Sequence, residues 1–326
     1  MPGNSQEIPA SGEHSSLPQH TGRHRIAWDA VPHDVAAGIE RQLGAEVTEA
    51  VGQPGGFSEG FASMLTLADG RRVFVKAASS EHAPAVADFH RREIAITRQL
   101  DTPWTPRLLD AYDDGTWVAG VYEEIQGRLP TQPWRPDELD RALATLVELT
   151  DALTPPPVDH ALLREPRLGG WQALAAGGGE PVERLRTMDP WAVDHLEDIA
   201  NLETQAPHAL AGETLQHGDL YPFNIMLNDE RIFVVDWPHA WIGAPHCDAV
   251  TLLSSASLSG VDPQKLTERH PLTRAADKEQ IDVTLAAHAG FLLRIATSVG
   301  PEADQNLVAM MTALGLASVR WLRNRL

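Results

Sequence analysis

Cysteine is almost absent from this 326-residue chain: Cys247 is the only one. One thiol can form neither an internal disulfide nor a multi-cysteine zinc site, so a reducing, cytoplasmic setting is expected. Basic residues are also scarce, with 26 Lys and Arg against 45 Asp and Glu and a net charge of −19. A field of that sign repels phosphate backbones and anionic headgroups, so neither nucleic acid nor a membrane surface is an expected partner. Long apolar runs are missing too. The longest candidate, Val283–Leu293, is ended by Arg294, too short to span a bilayer. Residues 1–25 (MPGNSQEIPASGEHSSLPQHTGRHR) contain no apolar run. They therefore lack the h-region of a secretory signal and read as a disordered tail. What remains is 43% hydrophobic with 25 glycines, an ordinary globular mixture able to bury a core.

Short apolar runs at Val47–Val51, Phe61–Leu67 and Val73–Lys76 predict strands, with the glycine-rich GQPGGFSEG between the first two. Asp69-Gly70 joins the second and third as a hairpin, because that dipeptide tolerates the positive φ such turns need. Helical spacing follows over Ala83–Leu100, with Phe89, Ile94, Ile96 and Leu100 as the inner set. Trp117–Ile125 is β-rich, and Gln126-Gly127 marks a lobe boundary. Beyond it Leu139, Ala142, Leu143, Leu146 and Leu149 recur at the period of an amphipathic helix. The rest reads as mostly helix, broken by strands within Gln216–Leu227 and Arg231–Trp237 around a turn at Asn228-Asp229. Two closing helices are expected over Ile281–Val299 and Ala303–Leu326, the last with Arg320, Arg323 and Arg325 at the negative end of its dipole. Gly177–Gly179 read as a flexible loop, and Trp171, Trp191 and Trp241 as packing residues. His239, His246, Cys247 and Asp248 read as capping or packing groups rather than a metal cluster. The expected division is a tail (1–25), a small strand-rich N-terminal lobe (26–125) and a larger helical C-terminal lobe (126–326).

The most informative string is HGDLYPFN (His217–Asn224), followed twelve residues later by Asp236 in VVDW. Mg²⁺ takes one or two carboxylate or amide oxygens plus the phosphates of its nucleotide, and Asn224 and Asp236 can supply them. Phosphoryl transfer rests on positioning and charge neutralisation, but the attacking hydroxyl needs a proton acceptor; Asp219, on the same loop as Asn224, is placed for that.

These strings, with GAPHCD (Gly243–Asp248), resemble the aminoglycoside phosphotransferase and choline kinase group, relatives of the protein kinases that phosphorylate small molecules. The resemblance implies an α+β, two-lobed protein-kinase-like fold with a small β-rich N-lobe and a larger helical C-lobe. It implies Asp219 as catalytic base, Asn224 and Asp236 as Mg²⁺ ligands, and His217 and Asp248 as structural supports of the loop. In the N-lobe it assigns Lys76, at the end of its strand, to the α/β-phosphates with Glu93 as ion-pair partner. The glycine-rich loop, through Gly56 and Ser58, would close over phosphate, although no Walker GK[S/T] is present. Glu124 and Ile125 would form the hinge that receives adenine. Tyr221 and Phe223 stand where His and Gly are frequent in that group, which makes the floor of the site bulkier, and Glu59 places an acid in the phosphate loop.

The implied activity is ATP- and Mg²⁺-dependent phosphorylation of a hydroxyl on a small molecule, with GTP as the alternative nucleotide. Nine acids and no Lys or Arg lie between Thr187 and Glu230. They favour a cationic, amine-bearing acceptor of aminoglycoside type, with Asp194, Glu197 and Asp198 as the candidate contacts. A housekeeping choline- or sugar-type kinase is the alternative within the same reaction class. A nucleotide-binding regulatory module without turnover is the alternative outside it, and retention of Asp219, Asn224 and Asp236 speaks against that.

Overall fold

The computed structural model describes residues 26–53 and 60–326. The expected tail, and the loop positions Gly56, Ser58 and Glu59, lie outside the described residues.

The N-lobe is one antiparallel sheet of β1 (Val47–Gly52), β2 (Phe61–Leu67), β3 (Arg72–Ser79), β4 (Leu108–Asp113) and β5 (Trp117–Glu123), in the order β1-β2-β3-β5-β4. Strand period 2 sorts its side chains onto two faces. Val73, Val75 and Ala77 of β3 join Phe61, Leu65 and Leu67 of β2 in a core covered by helix α1 (His33–Leu43). That helix contributes Val35, Ile39 and Leu43, each side chain stabilising by about 1.5–3 kcal/mol on full burial. The alternate residues, Ala62, Phe74 and Lys76, face the interlobe cleft. Lys76, expected at a strand end, lies mid-strand instead, opposite Ala62 and Gly120, because β3 runs on to pair Ser79 with Trp117. Helix α2 (Pro84–Thr97) packs on β3 and β5 and buries Ile94 and Ile96 as expected, while Phe89 and Leu100 are only half-buried.

A connector after β5 leads to α3 (Pro136–Ala152), whose predicted apolar stripe is buried. Five short helices follow: α4 (Trp171–Gly177), α5 (Gly179–Met188), α6 (Pro190–Asp194), α7 (Leu196–Glu203) and α8 (Ala206–Ala209). The glycines at 177–179 are not an open loop. Gly178 and Gly179, at φ 54° and 66°, form the joint between α4 and α5, a left-handed turn that suits residues without Cβ. The acidic stretch is partly consumed in capping. Asp189 caps α6, and the buried Glu203 accepts from the backbone N–H groups of Gly170, Trp171 and Gln172 at the start of α4.

The segment that carries HGDLYPFN and VVDW lies in two small ladders, β6 (Thr214–Gln216) with β9 (Trp241–Gly243) and β7 (Ile225–Leu227) with β8 (Ile232–Val234). Helices α9 (Cys247–Ala256), α10 (Pro263–Thr267), α11 (Pro271–Arg274), α12 (Lys278–Ser298) and α13 (Gln305–Arg323) complete the lobe. Apolar nearly all round, α12 is its central post, packed against α4, α5, α7, α8, α9 and α13. Arg325, expected at the helix end, lies past α13 and instead ion-pairs with the buried Asp282 of α12.

Candidate active site

Three elements converge on Lys76. Its ammonium lies 2.8 Å from Glu93 Oε1 on α2 and 2.8 Å from Asp236 Oδ1 just after β8. Burial by itself would lower the Lys76 pKa, but the two carboxylates outweigh it and hold the ammonium above its usual value. Burial would likewise raise Asp236, and the Lys76 charge instead keeps that carboxyl well below the ordinary range. Both groups are therefore charged at neutral pH. Asp236 adopts φ 72°, a left-handed conformation uncommon outside glycine, which carries its carboxylate off the strand end toward the cleft.

The loop that carries Asp219 is held by its own motif residues. Asp248, at the start of α9, accepts from the backbone N–H groups of His217 (2.6 Å) and Gly218 (3.1 Å). Burial raises the Asp248 pKa against the pull of His217 and those two hydrogen bonds. His217 Nε2 donates to Val235 O at 2.9 Å, so its Nδ1 is free to accept from Asp219 N–H at 3.2 Å. One ring thus ties the loop to the strand that delivers Asp236. Gly218 is obligatory in that arrangement, since at φ 76° a Cβ would stand 2.4 Å from His239 O. Asn224 donates its amide to Asp219 O (2.8 Å) and Oδ2 (3.1 Å), which turns its carbonyl oxygen away from the loop.

Lys76, Asp219, Asn224 and Asp236 line one interlobe cavity of about 340 Å³. A carboxylate and an amide oxygen on this wall form the hard-oxygen donor set that Mg²⁺ uses with phosphate and water, so the residues fit that ion.

Several participants carry no motif signal. Arg167, before α4, brings its guanidinium to 3.6 Å from Asp219 Oδ1 and lies over the Phe291 ring at 4.9 Å. Tyr221 Oη meets His288 Nε2 at 2.7 Å, His288 Nδ1 meets Ser318 Oγ at 2.8 Å, and Ser318 meets Ser254 at 2.7 Å. This buried chain ties the catalytic loop to α12, α13 and α9. Burial pushes His288 down to about 4, so its ring is neutral. Leu292, Leu307, Met310 and Met311 complete the cavity on its C-terminal side. Only contacts across the folded chain select these residues; apolar helical spacing shared by the whole of α12 and α13 does not.

Other expected site residues lie elsewhere. Asp194, Glu197 and Asp198 are exposed on α6 and α7, outside the cavity wall, and Asp194 pairs with Arg186 at 3.3 Å. Their short helices bury the opposite faces against the lobe, through Ala192, Val193 and Ile199, which turns the carboxylates to solvent. Glu124 and Ile125 sit on the connector after β5, where the Glu124 side chain is paired with Arg72 at 3.1 Å. His246 is turned to Thr284 (3.1 Å), Cys247 is buried, and His239 packs edge-on against Phe89. No group of three metal-ligating side chains occurs among the described residues. Nor is any described helix long and apolar enough to cross a membrane.

Several known proteins are similar to parts of this chain. A 43-residue stretch is 40% identical to Protein LicA of Haemophilus influenzae (strain ATCC 51907 / DSM 11121 / KW20 / Rd), covering 13% of this chain and 16% of that protein. Among solved structures, macrolide 2'-phosphotransferase type I is similar at 16% identity and a TM-score of 0.46, over 90% of this chain and 94% of that one. Aminoglycoside-3'-phosphotransferase of type VIII gives 20% and 0.42, over 86% and 98%. Aminoglycoside phosphotransferase APH(3'')-Id from Streptomyces rimosus, in complex with ADP and streptomycin, gives 15% and 0.38, over 77% and 90%. The APH family pattern matches residues 56–289, from the glycine-rich loop through the catalytic segment into α12. The chain therefore belongs to the phosphotransferase enzyme family (APH).

Proposed function

We propose that this small-molecule phosphotransferase moves the γ-phosphoryl group of ATP, bound with Mg²⁺, to a hydroxyl of its acceptor. The observation that carries this reading is the single cavity on which Lys76, Asp219, Asn224 and Asp236 converge. In it Asp219 accepts the hydroxyl proton as the new oxygen–phosphorus bond forms. The bond from γ-phosphorus to the bridging oxygen breaks, and that oxygen leaves with ADP. Lys76, steadied by Glu93 and Asp236, holds cationic charge against the nucleotide phosphates. Asn224 and Asp236 would hold Mg²⁺, whose contribution is to neutralise phosphate charge. His217 and Asp248 keep the loop in register, and the connector backbone at Glu124 and Ile125 receives the adenine. Gly56 and Ser58 complete the phosphate side in this reading. GTP would meet the same phosphate contacts.

An amine-bearing acceptor, the expectation from the acidic stretch, now rests on the net charge of −19 alone, since Asp194, Glu197 and Asp198 stand off the cavity wall. A general field of this kind is screened beyond roughly 8 Å at physiological salt. The test is a γ-phosphate transfer screen with labelled Mg·ATP over aminoglycosides, macrolides, peptide antibiotics, amino sugars, choline and ethanolamine. Label on an acceptor, lost when Mg²⁺ is chelated, is the expected result. Tight Mg·ATP binding without transfer to any member would favour the regulatory-module reading.

A further inference from the structure

The proposed phosphotransfer site has a second wall whose chemistry bears on the acceptor. Tyr221, Phe223, Leu292, Leu307, Met310 and Met311 form a continuous surface on the C-lobe side of the cavity. Among the described residues the only carboxylates lining that cavity are Asp219 and Asp236. The proposed chemistry engages both, one with the hydroxyl proton and one with Lys76 and the metal. Among the described residues of that wall none is left to receive an ammonium. Beside Asp219 stands a cation instead, Arg167, its guanidinium 3.6 Å from Asp219 Oδ1 and over the Phe291 ring. An acceptor amine beside that hydroxyl would meet like charge, a form of discrimination that acts by repulsion.

Building on the phosphotransfer reading of this cavity, we infer that the acceptor is a neutral, largely apolar molecule. It lays a hydrocarbon face on this wall and offers its hydroxyl to Asp219, with Arg167 excluding amines from the neighbouring position. Thioether and aromatic side chains are adaptable, so the wall suits a broad apolar face better than a fixed pattern of hydrogen bonds. The net negative charge of the whole molecule does not decide the matter, because the contacts that discriminate are within a few ångströms of the reacting atoms.

The test uses the full chain saturated with Mg·ADP and the neutral fluorophore N-phenyl-1-naphthylamine as reporter. Alkyl β-glucosides below their micelle concentrations and kanamycin serve as competitors. Reporter fluorescence should rise on binding. Glucoside competition should strengthen about three- to fourfold per methylene covered, and kanamycin should be the weakest competitor. Leu307→Asp at the half-buried rim should weaken reporter binding at least tenfold while Mg·ADP affinity stays within twofold. Met310→Gln, a milder change, should do so about threefold. Arg167→Gln should improve kanamycin competition at least fivefold. Absent reporter binding, reporter binding unchanged in Leu307→Asp, or kanamycin outcompeting octyl glucoside would each overturn the inference. Failure of the underlying reading looks different. Asp219→Asn with intact phosphate transfer overturns the reaction assignment and leaves the reporter results standing, whereas lost transfer with kanamycin as the best competitor overturns the acceptor class alone.

Discussion

On one side of the cleft, Lys76, Glu93 and Asp236 lock three charges together at 2.8 Å contacts. Across the same cavity, Leu292, Leu307, Met310 and Met311 present a wall with no strong hydrogen-bonding group. The charged side sits between rigid elements: a central strand, a packed helix and a catalytic loop pinned by Asp248. The apolar side is the edge of two helices that also pack into the core of the lobe. Phosphoryl transfer dictates residue types on the first side, because neutralising a phosphate requires particular charges at particular points. Nothing of the kind constrains the second, where any side chains of suitable shape accept a given molecule. The contrast separates what the reaction needs from what the acceptor needs.

Removing the Asp236 carboxylate should break the charged wall most completely. Asp236→Ala is expected to abolish Mg²⁺-dependent nucleotide binding, and to free Lys76 from one of its two anions. Isothermal calorimetry checks this; unchanged Mg·ATP binding would remove Asp236 from the metal site. Next comes Lys76→Met, which should lower turnover about tenfold or more. It should also cost ~3 kcal/mol of stability, since the buried Glu93 carboxyl would lose the ammonium that its Oε1 meets. Glu93→Ala should act in the same direction less strongly. A double-mutant cycle on kcat/KM and on denaturant midpoints measures their coupling, and purely additive effects would separate the two residues.

Much of the charged wall is legible in the chain, and little of the apolar one. HGDLYPFN and VVDW occupy a few residues each, because the proposed base, the proposed metal ligands and their supports hang on one loop and one strand end. Lys76 and Glu93, seventeen residues apart across a strand and a helix, are related by the family resemblance rather than by local pattern. Helix α3 is plain from its 3.6-residue stripe. Helix α1 raises no expectation, although Val35, Ile39 and Leu43 recur four residues apart as an amphipathic stripe; its Gly38, which packs against Tyr112, breaks up the local helical composition. Strand β4 is equally hard to see. LLDAYD mixes acids with apolar residues, as a half-buried edge strand can. Arg167 and His288 reach the catalytic loop from 52 and 67 residues away in opposite directions, and no local pattern selects them.

Smaller effects should sharpen the link between the two walls. Tyr221→Phe deletes the hydroxyl that reaches His288 while keeping the ring, and should lower kcat about threefold with nucleotide affinity unchanged. His288→Gln can still serve as a hydrogen-bonding partner and should be milder than His288→Leu; equal effects would show that the chain is packing alone. The smallest expected change is in pH dependence. Burial pushes His246 and His288 each down to about 4 in the folded protein, below the ordinary value near 6.5. Between those values the unfolded chain binds protons that the folded one does not, so this contribution is complete above about pH 6.5 and is lost as pH falls toward 4. Relative to wild type, His246→Gln should flatten the fall of denaturation midpoint with acidification across that window; identical slopes would contradict the neutral assignment.

Asp219→Asn reaches the centre of the account, because the amide keeps the shape of the side chain while removing its capacity to accept the proton, along with its charge toward Arg167. With an acceptor found in the transfer screen, kcat and Mg·ATP dissociation constants should be measured on the same preparations of both proteins. A fall in kcat of about 10² or more with nucleotide affinity within twofold is the predicted result. Near wild-type turnover in the variant would contradict Asp219 as the base and with it the placement of the acceptor hydroxyl between the two walls.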